Sequence, residues 1–537
     1  MVGVLLYVVA FSLPGLLSWR WFGATADFPV TSALVAIGLM GGGLAGSGGV
    51  VRRMVWGVLS FLAFGLNVAL AVSYYTIGRT YTDSFFHHIR PDFFLAGFTE
   101  HAGMLAIGAV ALVTSVVSYL WITRRSGAVP RGWPAFLLVA LAWPPLTDLT
   151  SYAATAYGYG HPGGLVARLA GIGPFKDWPL PASVEDPARV TLAGRKNLVV
   201  IYTESVEKSF YDLPNFAELT PNLRRLREGS LDFTHIRQAT GVGWTIAGIV
   251  TSQCGIPLLD NLVLNPITGL SQVAFRYQAT MARATCLGDI LKANGYRNLW
   301  IAGTDLWFGG KREFLNYHGL EQQIGAEEIT AAFTAEGKTA PRSSWGYYDS
   351  TIFPLAQQHF EEMSKQATPF AIFILTMDTH HPKPLPSPDC PAFDPDPMRQ
   401  AIACTDRNVS QFISAIENSP AGANTLIVVA SDHVAHRTSQ SEGLPPLDQR
   451  FNTFYVRGTS LPPRAIGEDG TNLDIAATLI DLLGGGPQII GAGQSLMRGP
   501  GFLAATGVTN DRAYFLSPAW CKRLIDLWSA RPEQQGP

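Results

Sequence analysis

Asn197-Leu198-Val199-Val200-Ile201-Tyr202-Thr203-Glu204-Ser205 is the stretch on which the reading of this 537-residue chain turns. Its apolar run is too short for a helix and rich in β-branched residues. It is also apolar at successive positions rather than at every second one, which is the signature of a strand covered on both faces. Runs of the same kind recur at Leu299 to Ala302, Phe370 to Leu375 and Thr425 to Ala430. Helical periodicity separates them around Pro221 to Arg227, Cys286 to Asn294, Tyr348 to Met363 and Asp474 to Leu483. This alternation predicts an α/β fold, a doubly wound and mostly parallel sheet with helices on both faces. In such sheets ligands gather at the carboxyl ends of the strands.

Two of these strands end on chemistry. Asn197 to Tyr202 runs into Thr203, Glu204 and Ser205, and Thr425 to Ala430 runs into Ser431, Asp432 and His433. Glu204, Asp432 and His433 are thereby delivered to one edge, as an oxygen and nitrogen ligand set suited to a single divalent ion, Mn²⁺, Mg²⁺ or Zn²⁺. Singly, each carboxylate has an ordinary explanation as a helix cap or a solvated loop residue. Their joint placement carries the reading. Between them lies Gly241-Val242-Gly243-Trp244-Thr245-Ile246-Ala247-Gly248, followed by Ser252-Gln253-Cys254-Gly255-Ile256-Pro257. Glycines ahead of a hydroxyl residue that opens a helix let backbone approach a phosphate, and the helix N-terminus favours the anion. A free threonine hydroxyl is a weak nucleophile, but coordination to a divalent cation lowers its pKa, so Thr245 is the candidate nucleophile.

The chain average conceals a second part. Hydrophobic residues make up 47% and charged residues 15%, and most charges lie after residue 180, which leaves an N-terminal third of membrane character. About five stretches approach the roughly 20 apolar residues a crossing needs: Val2 to Leu17, Val30 to Val51, Met54 to Tyr74, Met104 to Ile122 and Trp133 to Leu146. The first lacks a basic flank and a cleavage site, and reads as a retained helix. Arg52 and Arg53, and then Arg124, Arg125 and Arg131, mark cytoplasmic loops, so an odd number of crossings places the rest of the chain outside. Residues 75 to 98, with Tyr81, Phe85, Phe86, Phe93 and Phe94, read as an interfacial belt, and Glu100 and His101 stand beside the fourth stretch. The expected division is a transmembrane helical domain over 1–150, a Gly/Pro/Ala-rich linker along the membrane face over 151–190, and a catalytic domain over 191–537.

A net charge of −2 and the lack of a basic run exclude a nucleic-acid binder. Four of the five cysteines (Cys254, Cys286, Cys390, Cys404) fall in the part placed outside the cytoplasm, where pairing is permitted. Spacing leaves the connectivity open, and buried free thiols remain an alternative. The favoured pairs are Cys390 with Cys404 and Cys254 with Cys286, with Cys521 left over.

Together with Cys286-Leu287-Gly288-Asp289-Ile290-Leu291 and Thr379-His380-His381-Pro382, the segments around Glu204, Thr245 and Asp432 resemble the phosphoglycerol-transferring members of the lipoteichoic acid synthase branch of the sulfatase and alkaline phosphatase superfamily. The resemblance spans roughly residues 195 to 500. It implies an alkaline-phosphatase-like domain anchored in the cell inner membrane by several helices and facing the periplasm. The implied ligands of one metal ion, with Mn²⁺ favoured, are Glu204, Thr245, Asp432 and His433. It further implies that Thr245 takes a phosphoglycerol group from phosphatidylglycerol and passes it to an acceptor hydroxyl such as a periplasmic glucan.

On the same resemblance, His380 contacts the headgroup or protonates a leaving group, and Lys311, within Phe308-Gly309-Gly310-Lys311, contacts phosphate or glycerol. His381, Trp244, Asp305, Trp307, Trp345 and Asp349 are expected around the substrate. Gly309 and Lys311 stand where lipoteichoic acid synthases carry an aromatic residue and an arginine, as in the glucan-modifying relatives. Rival readings are phosphoethanolamine transfer, phosphodiester hydrolysis and an inactive envelope sensor or scaffold. Sulfatase chemistry through a formylglycine is disfavoured, because Cys254 is followed by Gly255-Ile256-Pro257 rather than the Cys-x-Pro-x-Arg pattern.

Overall fold

The structure, a computed structural model, describes residues 2–21, 27–44, 50–77, 102–125, 145, 178–258, 281–343, 345–381, 384–436, 443–515 and 517–528. The chain divides into two compact units, Met1–Gly158 with His436–Ser439, and Tyr159–Ala435 with Gln440–Pro537.

In the first unit four helices, α1 (Val2–Trp21), α2 (Asp27–Leu44), α3 (Val50–Ile77) and α4 (Ala102–Arg125), stand where the first four apolar stretches were expected. Tyr7, Phe11, Val35, Phe64 and Tyr119 fill the space between them. Small polar groups are turned inward: Ser32 Oγ donates to Asn67 Oδ1 at 2.9 Å, and Asn67 Nδ2 donates to the Phe11 carbonyl at 3.0 Å. Leu5, Val9, Leu62, Val110 and Val117 are turned outward and exposed. An outer face this apolar departs from the pattern that water imposes. Among the described residues Met54–Ala71 is long and apolar enough to cross a bilayer, while Leu5–Ser18, Phe28–Ile37 and Ala106–Leu120 are shorter apolar stretches. The helix of the second stretch is described as far as Leu44, just after three consecutive glycines, each costly in a helix interior, and Arg52 and Arg53 belong to the first turns of α3 instead of a loop. Glu100, His101, the aromatic residues Tyr81 to Phe94 and nearly all of the fifth stretch lie outside the described residues.

The second unit is built on an eight-stranded sheet. Its strands are β1 (Asn197–Thr203), β2 (Leu231–Phe233), β3 (Arg297–Ala302), β4 (Gln322–Ile324), β5 (Phe370–Leu375), β6 (Thr425–Ser431), β7 (Phe454–Arg457) and β8 (Arg464–Ile466). They lie in the order β4-β3-β5-β1-β6-β7-β2-β8, and every pairing is parallel except the two made by β7. All seven residues of β1 and of β6 are buried, so the central strands are covered on both faces, as their uninterrupted apolar runs require.

The helices that bear on the site are α5 (Pro221–Glu228), α6 (Thr245–Cys254), α7 (Leu287–Ala293), α8 (Lys311–Tyr317), α9 (Asp349–Ser364), α10 (Pro397–Glu417) and α11 (Ile475–Ile480). Disulfides join Cys254 to Cys286 and Cys390 to Cys404. Of the span expected as a linker, residues 178–190 pack on this unit: the Val184 N–H donates to the Ile489 carbonyl at 2.8 Å, and Trp178 meets Tyr514 edge to face.

Candidate active site

Register creates the site. Tyr202 lies level with Ala430 and Thr203 with Ser431 on adjacent parallel strands, so the next residue of each, Glu204 and Asp432, emerges at the same height. Ser205 turns the chain sharply with φ 59°, a left-handed conformation uncommon outside glycine and typical of constrained functional turns. That turn aims the Ser205 N–H at Asp432 Oδ1 (2.9 Å) and its hydroxyl at Glu204 Oε1 (2.9 Å). The Glu204 N–H donates to Thr376 Oγ1, just past β5, at 2.9 Å. His433 Nε2 lies 3.4 Å from Glu204 Oε1 and 3.4 Å from Asp432 Oδ2. Its Nδ1 is 2.9 Å from the Val434 carbonyl, which has no proton to give, so Nδ1 carries the hydrogen and Nε2 turns toward the carboxylates.

The donor set fits a divalent ion. Ligand atoms of the buried Glu204, Asp432 and His433 all lie within 4.8 Å of one another. Asp432 Oδ2 is buried without a hydrogen bond, a costly condition that a cation would relieve. The three groups shift one another's protonation. Burial works to raise Glu204, but His380 and His433 outweigh it and hold the carboxyl well below its ordinary range. Burial and the neighbouring Glu204 charge push Asp432 up to about 8. Burial lowers His433, yet Asp432 and Glu204 prevail and hold it up to about 9.

Thr245 opens α6, with Trp244 in extended conformation ahead of it, and its Oγ1 donates to Glu204 Oε2 at 3.1 Å. The helix is held against the Asp432 loop at Gly248, where a Cβ would stand 2.0 Å from the Asp432 carbonyl oxygen. Only glycine permits that approach. At its far end α6 is tied through Cys254 to Cys286, the residue that precedes α7.

Around this centre lie further residues that the sequence singled out. Lys311 is buried, donates to the Phe308 carbonyl at 2.6 Å and lies over the Phe308 ring. Burial pushes its amine down to about 8 against the pull of Asp305 and Glu204. The His380 ring meets Trp345 with centroids 4.2 Å apart. His381 is buried and pushed down to about 3, which leaves it neutral, with the Glu204 charge opposing the shift. Gly309 lies against Trp244 and Ile246, so the Lys311 segment rests on the start of α6. Glu204, Thr245, Asp432 and His433 thus come together, with His380, His381 and Lys311 close enough to interact electrostatically with Glu204.

Asp305 and Trp307 are outer residues. Both are exposed, Asp305 Oδ1 accepts the Trp307 N–H at 2.8 Å, and the Trp307 ring lies under the Arg312 guanidinium. Asp349 is no pocket wall. It is fully buried, accepts the Met377 N–H at 2.7 Å and donates its own N–H to Asp378 Oδ1 at 3.0 Å, supporting the His380 segment from beneath. Sequence reasoning did not find Asp378, and it quoted Thr379 in a motif without the role the structure gives it, its hydroxyl donating to the Glu204 carbonyl at 2.5 Å. It also missed Glu207 and Arg450, a buried ion pair beside the His433 loop. The position of Glu207, three residues past Glu204, was the one local signal for that pair.

A mostly parallel sheet that brings two carboxylates and an imidazole to one edge, around a hydroxyl at a helix start, defines a protein of the alkaline-phosphatase-like class. The chain belongs to the sulfatase family, whose model matches residues 196–485. It is 32% identical over 484 residues to phosphoglycerol transferase I of Citrobacter koseri, across 88% of this chain and 59% of that relative. To phosphoglycerol transferase I of Escherichia coli O127:H6 it is 31% identical over 502 residues, across 90% and 62%. The chain therefore spans about three fifths of the length of these relatives. Among solved structures, the lipoteichoic acid synthase LtaP from Listeria monocytogenes is similar with a TM-score of 0.48 and 16% identity, covering 65% of this chain and 97% of that one.

Proposed function

We propose that this chain is a membrane-anchored phosphoglycerol transferase that moves the glycerophosphate headgroup of phosphatidylglycerol, through Thr245, to an acceptor hydroxyl such as that of a periplasmic glucan. The observation that carries the reading is the Thr245 hydroxyl, 3.1 Å from Glu204 at a helix N-terminus and beside Asp432 and His433. The names of the relatives supply the headgroup. The outward apolar faces of α1–α4 support a membrane anchor with several crossings, and the positive charge of Arg124, Arg125 and Arg131 supports placing the α/β unit on the periplasmic side of the inner membrane.

Glu204, Asp432, His433 and Thr245 would hold one divalent ion, Mn²⁺ for preference, which supplies the Lewis acidity that lowers the hydroxyl pKa and screens phosphate charge. The Thr245 hydroxyl gives up its proton through its hydrogen-bond partner Glu204 to solvent, Oγ attacks phosphorus to form a new O–P bond, and the bond from phosphorus to the diacylglycerol oxygen breaks. His380, whose ring meets that of Trp345 with centroids 4.2 Å apart, gives that oxygen its proton. Lys311 and the N-terminus of α6 bind the phosphate oxygens. In the second half His380 takes the proton of the acceptor hydroxyl, whose oxygen forms a new bond to phosphorus, while the bond from phosphorus to Thr245 Oγ breaks and that oxygen regains a proton from solvent.

Mass spectrometry after incubation with phosphatidylglycerol and Mn²⁺ tests this. A glycerophosphate adduct on Thr245, missing from Thr245→Ala, is expected. Undiminished lipid turnover by Thr245→Ala would sink the proposal.

A further inference from the structure

We infer that Glu207 and Arg450 are positioning residues that lock the Asp432–His433 loop to the Glu204 loop, and thereby set the affinity of the site for its divalent ion. This rests on the metal reading above and deepens it.

Glu207 lies three residues past Glu204 on the turn that follows β1, and its carboxylate is fully buried. It accepts two hydrogen bonds from Arg450 Nε, at 2.9 and 3.0 Å, and one from Arg450 Nη2. The same carboxylate accepts the Ala435 N–H at 2.9 Å, while Arg450 Nη2 donates to the Ala435 carbonyl. Both backbone polar groups of Ala435 are therefore held by the two halves of one ion pair. Ala435 lies two residues beyond His433. The residue between them, Val434, gives its N–H to Gln238 Oε1 at 2.8 Å and takes the His433 Nδ1 hydrogen on its carbonyl. The pair thus holds the short segment that fixes the tautomer and direction of the imidazole. The Arg450 segment is anchored in turn, since the Lys208 N–H donates to the Phe451 carbonyl at 3.0 Å and Thr453 Oγ1 donates to the Val206 carbonyl at 2.9 Å.

Stability alone is a poor reason for such a pair. Desolvating two charges offsets much of their attraction, and apolar side chains of equal volume often serve as well. What apolar residues cannot do is grip both the N–H and the C=O of one loop residue from a second loop. Groups that orient metal ligands from behind typically change metal affinity by about 10- to 100-fold when removed.

The test uses the purified full chain in detergent, stripped with chelator and titrated with Mn²⁺ by calorimetry, with melting temperature and turnover measured alongside. The variants are Glu207→Gln, Arg450→Met and Arg450→Lys, with His433→Ala as the control that must lose binding. The first two are expected to weaken Mn²⁺ binding about tenfold or more. Saturating Mn²⁺ should restore most of their turnover, and Arg450→Lys should fall between them and the parent. A merely structural role would lower the melting temperature of the stripped protein and leave the affinity at 25 °C alone. Folded Glu207→Gln and Arg450→Met proteins with affinity within threefold of the parent would overturn the inference. If those two fail to fold, Arg450→Lys decides by the same threefold criterion. Should the parent bind no Mn²⁺, the metal reading itself falls and takes this inference with it, whereas loss of binding in His433→Ala alone leaves that reading standing.

Discussion

Replacing Gly248 with alanine probes the joint between the threonine helix and the metal loop with one methyl group. On the present backbone the new Cβ would lie 2.0 Å from the Asp432 carbonyl oxygen, 2.6 Å from its carbon and 3.2 Å from its Cα, where ordinary contact begins near 3.4 Å. The gap must open by 3.4 − 2.0 = 1.4 Å, and the obstruction is backbone, which has no rotamer to yield. Either α6 lifts, taking Thr245 from Glu204, or the loop recedes, taking Asp432 from both. Overpacking of this kind costs about 1–3 kcal/mol, and alanine returns about 1 kcal/mol of helix propensity. The net loss of about 0–2 kcal/mol lowers the melting temperature by only a few degrees. A displacement on the order of 1 Å between reacting groups, by contrast, reduces rate about 100-fold. The expected signature is a folded Gly248→Ala protein with nearly normal melting and turnover of labelled phosphatidylglycerol down about two orders of magnitude. Parental turnover at saturating Mn²⁺ would refute the proposed dependence of the chemistry on this contact.

Three further outcomes are expected. Lys311, cationic below about 8, should give kcat/KM a descending limb above that pH. Lys311→Met should abolish the limb and lose a charge-assisted hydrogen bond of about 1.5–3 kcal/mol, roughly 10- to 150-fold in kcat/KM at pH 7; an unchanged profile would remove Lys311 from phosphate binding. Asp378 is pushed up to about 6 by burial, so the folded state holds a proton there that the unfolded chain releases near 4. Its contribution to stability is complete below the unfolded value and is lost as pH rises through 6, by at most about 3 kcal/mol. Denaturant unfolding at pH 4 and 7 should show a smaller difference for Asp378→Asn, and equal differences would contradict that burial effect. Chelation should abolish turnover, with Mn²⁺ restoring it more readily at higher pH, because binding must displace the protons on Asp432 and His433; activity that survives exhaustive chelation would count against the metal.

The parts legible in the sequence are those whose cause is local. β1 and β6 show as unbroken apolar runs because they are buried on both faces, and Glu204, Asp432 and His433 follow by counting to the strand ends. Short strands escape that logic. Leu231–Phe233 carries Asp232 at its centre and exists through its pairing with β7 and β8, more than 200 residues away in sequence. Lys311 reads as a solvated charge until left-handed Gly309 and Gly310 turn the chain and bury its amine. Glu207 and Arg450 are 243 residues apart, and no spacing rule joins them. The metal ligands sit on strand ends, where sequence period and chain direction determine position. The groups that hold those ligands at workable angles come from wherever the folded chain passes close to the ligand loops, as Gln238 and Arg450 do at residues 434 and 435 respectively. Tuning of such a site is therefore written in long-range contacts, while its chemistry is written in short motifs.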